Sequence, residues 1–202
     1  EVRKTYNLTK NQIAARPFCL FISYSGNTEE TISAAKNAID ENLEWAAISS
    51  GGELLDLATK HNKKFVKVPD GLQPRAAFGL MTKAVVNYLP NQTKKIFINA
   101  CEEAGNYLNN LTEDASNEVF EISKDIANQI GSKTAVIYAG SDLTYLVAQR
   151  WKTQINENSK SKAYVGFMPE VHHNEILSWE ADQEGSKNNF ILILLRGDDY
   201  KK

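Results

Sequence analysis

Apolar residues in the first half of the chain form short continuous runs separated by stretches of helical periodicity. The runs are residues 18–23 and 45–49, and residues 64–68 form a third predicted strand that is stopped by Pro69. A continuous apolar run of this length is typical of a strand that is buried on both faces of a parallel sheet. Between the runs, apolar residues recur at helical spacing, at Ile32, Ala35 and Ile39 and again at Leu54, Leu57 and Ala58. The pattern therefore predicts a β-α-β-α-β unit, a parallel sheet covered by helices.

A third helix is predicted to begin at Pro74, since proline is well tolerated in the first turn of a helix. Its apolar face extends to Tyr88, and Pro90 follows its end. Residues 95–130 have a helical and polar pattern. We expect them to connect the two halves of the chain, with their acidic residues in solvent.

The second half repeats the pattern of the first. The predicted strands are residues 135–139, 163–167 and 190–195, the last of which is expected to be the most strongly buried in the chain. Ser141 is a good N-cap for a helix that extends to Ile155, and a short helix is expected near Trp179.

The fold class predicted by this pattern is α/β, with two doubly wound parallel-sheet domains in tandem. The expected division is a first domain at residues 1–92, a helical connection at 93–130 and a shorter second domain at 131–202. The chain begins at Glu1 rather than Met and ends soon after a strand, so we expect a trimmed protein or a fragment.

Composition excludes several classes of protein. Of the 202 residues, 42% are hydrophobic and 24% charged, as in a soluble globular protein that can bury a sizeable core. The net charge of -2 gives no broad electrostatic attraction for nucleic acid or an anionic membrane. No apolar stretch is long enough to span a bilayer and no signal peptide opens the chain, so a cytoplasmic location is expected. Cys19 and Cys101 are expected to be small buried thiols without a disulfide.

Residues 23–28, with the sequence SYSGNT, follow the first strand and precede the first helix. The first amides of a helix have no partner within the helix, and Ser23, Ser25 and Thr28 add hydroxyl groups, so the loop can hold a phosphate. Gly26 allows the backbone to approach closely. The alternative is a helix-capping turn in which Asn27 is the N-cap, because these residue types also favour capping. Spacing alone does not decide between the two interpretations.

Residues 23–31, with the sequence SYSGNTEET, resemble the signature of sugar isomerase (SIS) domains. The whole chain is most similar to the bifunctional phosphoglucose/phosphomannose isomerases. Three further segments carry this resemblance in the family's order, namely residues 73–75 (QPR), 156–158 (NEN) and 169–175 (PEVHHNE). The family has a glycine-rich loop before this first strand and a lysine-bearing segment after this last one. The resemblance therefore implies tandem SIS domains that are incomplete at both ends.

The resemblance implies a sugar-phosphate substrate and a role for each of several residues. It implies that Ser23, Ser25 and Thr28 hold the phosphate, while Gly51 and Gly52 line the sugar. It further implies roles for Glu157 as the catalytic base, His173 in ring opening and Arg75 in stabilising an enediolate.

The residue types fit this chemistry, since aldose–ketose isomerisation needs a proton-shuttling base, an acid for ring opening and a cation. Without the resemblance, Glu157 would be a solvated helix residue and Arg75 a partner in a structural ion pair. His173 would be a capping or metal residue, but the sequence around it lacks a metal-ligand spacing. No metal or cofactor is expected.

The resemblance also implies a homodimer in which the active-site histidine comes from the second subunit. Two alternatives stay open. One is a non-catalytic SIS module that senses a sugar phosphate, and the other is a single-domain SIS isomerase of heptose or arabinose phosphates, which the tandem pattern disfavours.

Overall fold

The computed structural model describes residues 2–113 and 118–197, and the chain divides into two compact units, Glu1–Leu108 and Asn109–Lys202. The strands are β1 Phe18–Ile22, β2 Glu44–Ser49, β3 Lys64–Lys67, β4 Thr134–Ala139, β5 Ala163–Phe167 and β6 Phe190–Leu195. The helices are α1 Lys10–Ala14, α2 Glu29–Asp40, α3 Gly52–Lys60, α4 Phe78–Val85, α5 Asn91–Glu113, α6 Glu118–Ile130, α7 Asp142–Gln154, α8 Glu175–Ala181 and α9 Gln183–Asn189.

The first unit contains a parallel sheet in the order β1-β2-β3. The central strand β2 is covered on both faces. Trp45 and Ala47 belong to a buried cluster with α2 and α3, whereas Ile48 packs with α4. The small residues Ala35 and Ala38 of α2 are fully buried, which allows this helix to lie close to the sheet.

The second unit also contains a parallel sheet, in the order β5-β4-β6. Ile137 and Ala139 of the central strand pack with Ala148 of α7. Val136 and Tyr138 face the opposite side, where Trp179 of α8 packs against them. The predicted α/β class with parallel sheets is therefore confirmed.

Two of the apolar runs are less buried than their sequence predicts. Phe18 and Ile22 of β1 are 57% and 41% exposed, and Leu192 of β6 is 54% exposed. Both strands stand at an edge of their sheet within the described residues, whereas the central strands β2 and β4 have neighbours on both sides. The expectation that residues 190–195 would be the most buried strand was wrong for this reason.

Ser141 does cap α7, in a capping box with Thr144. Helices α5 and α6 confirm the helical pattern of residues 95–130, of which 114–117 lie outside the described residues. The helix predicted from Pro74 begins as a 3-10 turn, Pro74–Ala76, and its regular α-helical part is limited to α4.

Cys19 and Cys101 are free thiols that are half-buried rather than fully buried, and burial raises the pKa of Cys19. No helix in the described part of the chain is both long enough and apolar enough to cross a membrane.

Candidate functional site

The loop between β1 and α2 is held together by its own hydroxyl groups. The hydroxyl oxygens of Ser23 and Thr28 lie 2.7 Å apart, and the amide of Gly26 donates to Oγ of Ser23 at 3.1 Å. The amide of Asn27 donates to Oγ of Ser25 at 3.2 Å. Ser23 is only 5% exposed, whereas Ser25 lies at the surface. The loop is thus preformed, with one hydroxyl group inside and another facing solvent.

A second loop, between β2 and α3, lies against the first. The register of the sheet pairs Ile22 with Ile48, so the two strands end side by side. A Cβ added to Gly26 would collide with the carbonyl oxygen of Gly51, and one added to Gly52 would collide with Oδ1 of Asn27 at 2.6 Å. Gly26 and Gly52 have φ values of +69° and +71°, which glycine adopts without strain. Glycine is therefore required at both positions.

The side chain of Asn27 does not cap its own helix, so the expectation that Asn27 is the N-cap of α2 was wrong. Thr28 is the N-cap of α2 and makes no capping hydrogen bond with its side chain. Oδ1 of Asn27 instead accepts from the amide of Glu53 in the first turn of α3, at 3.0 Å. The amide of Leu54 donates to the carbonyl of Gly26, at 3.0 Å. The first loop thus caps the neighbouring helix.

Tyr24 connects this pair of loops to a third. Its carbonyl oxygen accepts from the amide of Ser50 at 2.9 Å and from the hydroxyl groups of Ser50 and Ser49 at 2.7 and 3.2 Å. Its hydroxyl group donates to the carbonyl of Pro69 at 3.1 Å and accepts from the amide of Leu72 at 2.9 Å. The role of Tyr24 was not predicted from the sequence, because its partners Pro69 and Leu72 lie 45 and 48 residues away.

The arrangement in the first unit suits an anion. Hydroxyl groups and backbone amides surround the start of α2, whose macrodipole has its positive end there. Arg75 belongs to the same unit and is half-buried in the 3-10 turn Pro74–Ala76, which follows the segment held by Tyr24.

Glu157 lies in the second unit, in a turn of π-helix at Ile155–Ser159 that continues α7. Its side chain is exposed, and its carbonyl oxygen accepts from Nζ of Lys160 at 2.6 Å. Nδ2 of Asn156 donates to the carbonyl of Ser161 at 2.9 Å, which closes the turn. Turns of π-helix within α-helices are frequent at functional sites.

His173 ends the 3-10 turn Glu170–His173 and is exposed, as is His172. Val171 in the same turn is 2% exposed and belongs to a buried cluster with Tyr138. Its Cγ1 would lie 2.6 Å from a Cβ added to Gly166 of β5, so this contact requires glycine. The buried valine holds the turn against the sheet while both histidines face solvent.

A hydrogen-bonded set of side chains lies directly after this turn. Nε1 of Trp179 donates to the hydroxyl group of Tyr138 at 3.0 Å, and that hydroxyl group donates to Oε2 of Glu175 at 3.3 Å. Burial raises the pKa of Tyr138, the hydrogen bond from Trp179 lowers it, and the charge of Glu175 raises it. These contacts tie the start of α8 to β4. They were not predicted from the sequence, because Tyr138 lies 37 and 41 residues from its two partners.

The structure therefore brings together the predicted phosphate-binding residues and the predicted second turn, namely Ser23, Ser25, Thr28, Gly51 and Gly52. It places Arg75, Glu157 and His173 on three separate turns. No group of three or more metal-ligating side chains occurs among residues 2–113 and 118–197.

Comparison with known proteins identifies the chain's relatives. Residues 121–202 match the family described as bacterial phospho-glucose isomerase C-terminal SIS domain. A bifunctional phosphoglucose/phosphomannose isomerase of Aquifex aeolicus is 38% identical over 178 residues, which is 88% of this chain and 51% of the relative. A D-glucosamine-6-phosphate 4-epimerase of Sulfolobus acidocaldarius is 32% identical over 200 residues, 96% of this chain and 60% of the relative.

Solved structures agree at the level of the fold. A candidate phosphosugar isomerase of Bacillus subtilis matches with a TM-score of 0.59 and 18% identity, over 91% of this chain and 65% of that one. The chain spans about half the length of the Aquifex relative. The resemblance inferred from the motifs is confirmed by these matches, because the relatives that align with most of this chain are named bifunctional phosphoglucose/phosphomannose isomerases.

Proposed function

We propose that the protein interconverts fructose 6-phosphate with glucose 6-phosphate, and also with mannose 6-phosphate, through an enediolate. The observation that carries this proposal is the preformed loop of Ser23, Ser25 and Thr28 at the start of α2, in a relative of named phosphoglucose/phosphomannose isomerases. A phosphate held there would be bound by neutral donors and by the positive end of a helix macrodipole. Gly51 and Gly52, in the adjoining loop, would line the sugar.

The chemical steps require three further residues. Glu157 is the proposed base that moves a proton between C1 and C2, and its exposed position in a π-turn allows a substrate to reach it. His173 is the proposed acid and base of ring opening, for which an exposed imidazole is suited. Arg75 supplies the positive charge that stabilises the enediolate. No cofactor takes part in these steps.

The finer architecture is also part of the proposal. The two units would be SIS domains in tandem, incomplete at both ends, with residues 93–130 as a helical connection between residues 1–92 and 131–202. The protein would act as a homodimer in the cytoplasm, with His173 contributed to the site of the second subunit.

The deciding experiment is a coupled assay with fructose 6-phosphate in which glucose 6-phosphate and mannose 6-phosphate are measured separately. Formation of either aldose supports the proposal. Glu157→Gln should abolish turnover and leave binding of the sugar phosphate unchanged, because the amide keeps the shape of the side chain but cannot act as a base. Glu180→Gln, at an exposed position of α8, is the matched control.

Two other results would indicate a different function. Binding of fructose 6-phosphate without turnover, in a protein that turns over no other sugar phosphate, would indicate a sensor module. The Sulfolobus relative is named as an epimerase of D-glucosamine 6-phosphate and aligns with 96% of this chain, so this amino sugar is the second substrate to assay. Turnover of D-glucosamine 6-phosphate alone would contradict the proposed isomerase activity.

A further inference from the structure

We propose that Tyr24 is a positioning residue that fixes the segment leading to Arg75 relative to the phosphate-binding loop. The inference rests on the proposed function, because it concerns how two parts of that site are held together. Tyr24 lies between Ser23 and Ser25, so contacts that fix its side chain also restrain the loop that contains these two serines.

The ring of Tyr24 is fixed by packing. It lies against a cluster formed by Ile48 of β2, Val68 directly after β3, and Ala84 of α4. Ile48 is fully buried, so this part of the surface that Tyr24 contacts belongs to the core of the unit. A side chain with only two rotatable bonds that is packed in this way holds its hydroxyl group at a defined point.

The hydroxyl group of Tyr24 lies at the turn after β3. A tyrosine hydroxyl has one donor and can accept as well, and both functions are used, toward the carbonyl of Pro69 and from the amide of Leu72. Between these two residues the chain passes through Gly71, whose φ is +86°. The hydroxyl group therefore closes the turn across a backbone position that favours glycine.

The turn after β3 determines the position of Arg75. The 3-10 turn Pro74–Ala76 starts two residues after Leu72, and its amide of Ala76 donates to the carbonyl of Gln73 at 2.8 Å. Because proline fixes its own φ and restricts the residue before it, little conformational freedom remains between Leu72 and Arg75. Holding the amide of Leu72 thus restricts the place from which the guanidinium extends.

The backbone of Tyr24 completes the connection, because its carbonyl oxygen holds Ser49 and Ser50 of the loop after β2. One residue therefore joins the three loops that follow β1, β2 and β3. In open parallel sheets, ligands bind at this edge. We expect loss of the Tyr24 hydroxyl group to leave phosphate binding intact and to displace Arg75.

The test uses Tyr24→Phe, which keeps the ring and removes the hydroxyl group. Tyr88→Phe is the matched control, since Tyr88 packs against the same cluster and its hydroxyl group takes no part in this connection. Hydrogen exchange should be faster at the amide of Leu72 in Tyr24→Phe and unchanged in Tyr88→Phe. With fructose 6-phosphate, Tyr24→Phe should lower kcat on the order of tenfold, with KM changed less than about twofold.

A double-mutant cycle distinguishes positioning from a general structural effect. If Tyr24 acts through Arg75, Tyr24→Phe should cause no further loss in an Arg75→Ala background. An unchanged kcat in Tyr24→Phe, or an equal loss in both backgrounds, would overturn the inference. A flat assay with the unmodified protein would contradict the proposed function itself, and the catalytic role of Tyr24 would fall with it. The exchange of Leu72 would still show whether the hydroxyl group holds the turn.

Discussion

The hydroxyl oxygens of Ser23 and Thr28 lie 2.7 Å apart, and this contact closes the loop between β1 and α2. Ser23 follows the last residue of the strand, and Thr28 is the N-cap of the helix. The same Ser23 oxygen accepts from the amide of Gly26, so it serves two partners from a position that is 5% exposed. The loop therefore owes its shape to a buried hydroxyl group.

Ser23→Ala should lower both stability and phosphate affinity. Removing Oγ leaves the amide of Gly26 and the hydroxyl group of Thr28 without this partner in a buried place, at a cost of about 1 to 2 kcal/mol in the free energy of unfolding. Denaturant unfolding and calorimetry with inorganic phosphate measure the two effects. Ser25→Ala is the comparison, since Ser25 is exposed, and it should weaken phosphate binding with little change in stability. Equal stability losses in the two variants would contradict the structure of the loop.

Gly26→Ala should destabilise the first unit strongly. The added methyl group would meet the carbonyl of Gly51, and φ at Gly26 is +69°. The two effects together should cost at least about 3 kcal/mol. Gly51→Ala is the matched control, because φ at Gly51 is 174° and, among the described residues other than its chain neighbours, no atom lies within 4 Å of the added Cβ. Thermal unfolding of the two variants should therefore differ by many degrees, and similar midpoints would show that the loops are not interlocked.

Two substitutions of Asn27 distinguish its role in helix capping from an effect on anion binding. Asn27→Ala removes the acceptor for the amide of Glu53 and should cost about 1 kcal/mol. Asn27→Asp retains an acceptor and should be as stable as the unmodified protein, but its charge would repel a phosphate at the start of α2. The measurements are denaturant midpoints and titration with inorganic phosphate. Undiminished phosphate binding by the aspartate variant would argue against an anion site in this loop.

Tyr138 makes the stability of the second unit dependent on pH in the alkaline range. Its pKa is raised in the folded state, chiefly by burial, so the folded protein holds this proton more tightly than the unfolded chain does. The resulting stabilisation is present below the ordinary tyrosine pKa of about 10 and is lost as pH rises above that value.

Tyr138→Phe removes this dependence together with the hydrogen bonds to Trp179 and Glu175. The variant should be less stable at neutral pH by about 1 to 2 kcal/mol and lose less stability between pH 9 and 11. Denaturant unfolding across this range is the measurement. Tyr164→Phe, at a residue 58% exposed on the neighbouring strand, is the control and should follow the unmodified protein.

The order of the six strands and of most helices could be predicted from the sequence because it depends on local periodicity, whereas α1 and α9 were not predicted. Continuous apolar runs predicted the parallel strands, and residues at helical spacing predicted α2, α3 and α7. Ser141 was predicted as the cap of α7 because serine favours the N-cap position, which is a local preference. The position of the SYSGNT loop between a strand and a helix followed from the same information.

What the sequence could not decide depends on partners that are far apart along the chain. Asn27 caps α3 rather than α2 because the register of β1 with β2 places its side chain beside Glu53, 26 residues away. Gly26 and Gly52 are required by a close approach between two loops, and the hydroxyl group of Tyr24 accepts from the amide of Leu72, 48 residues away. A local pattern holds no information about such distances. The sequence determined which elements form and which loop is the candidate phosphate site, whereas the tertiary structure decided how that loop is held and which residues hold it.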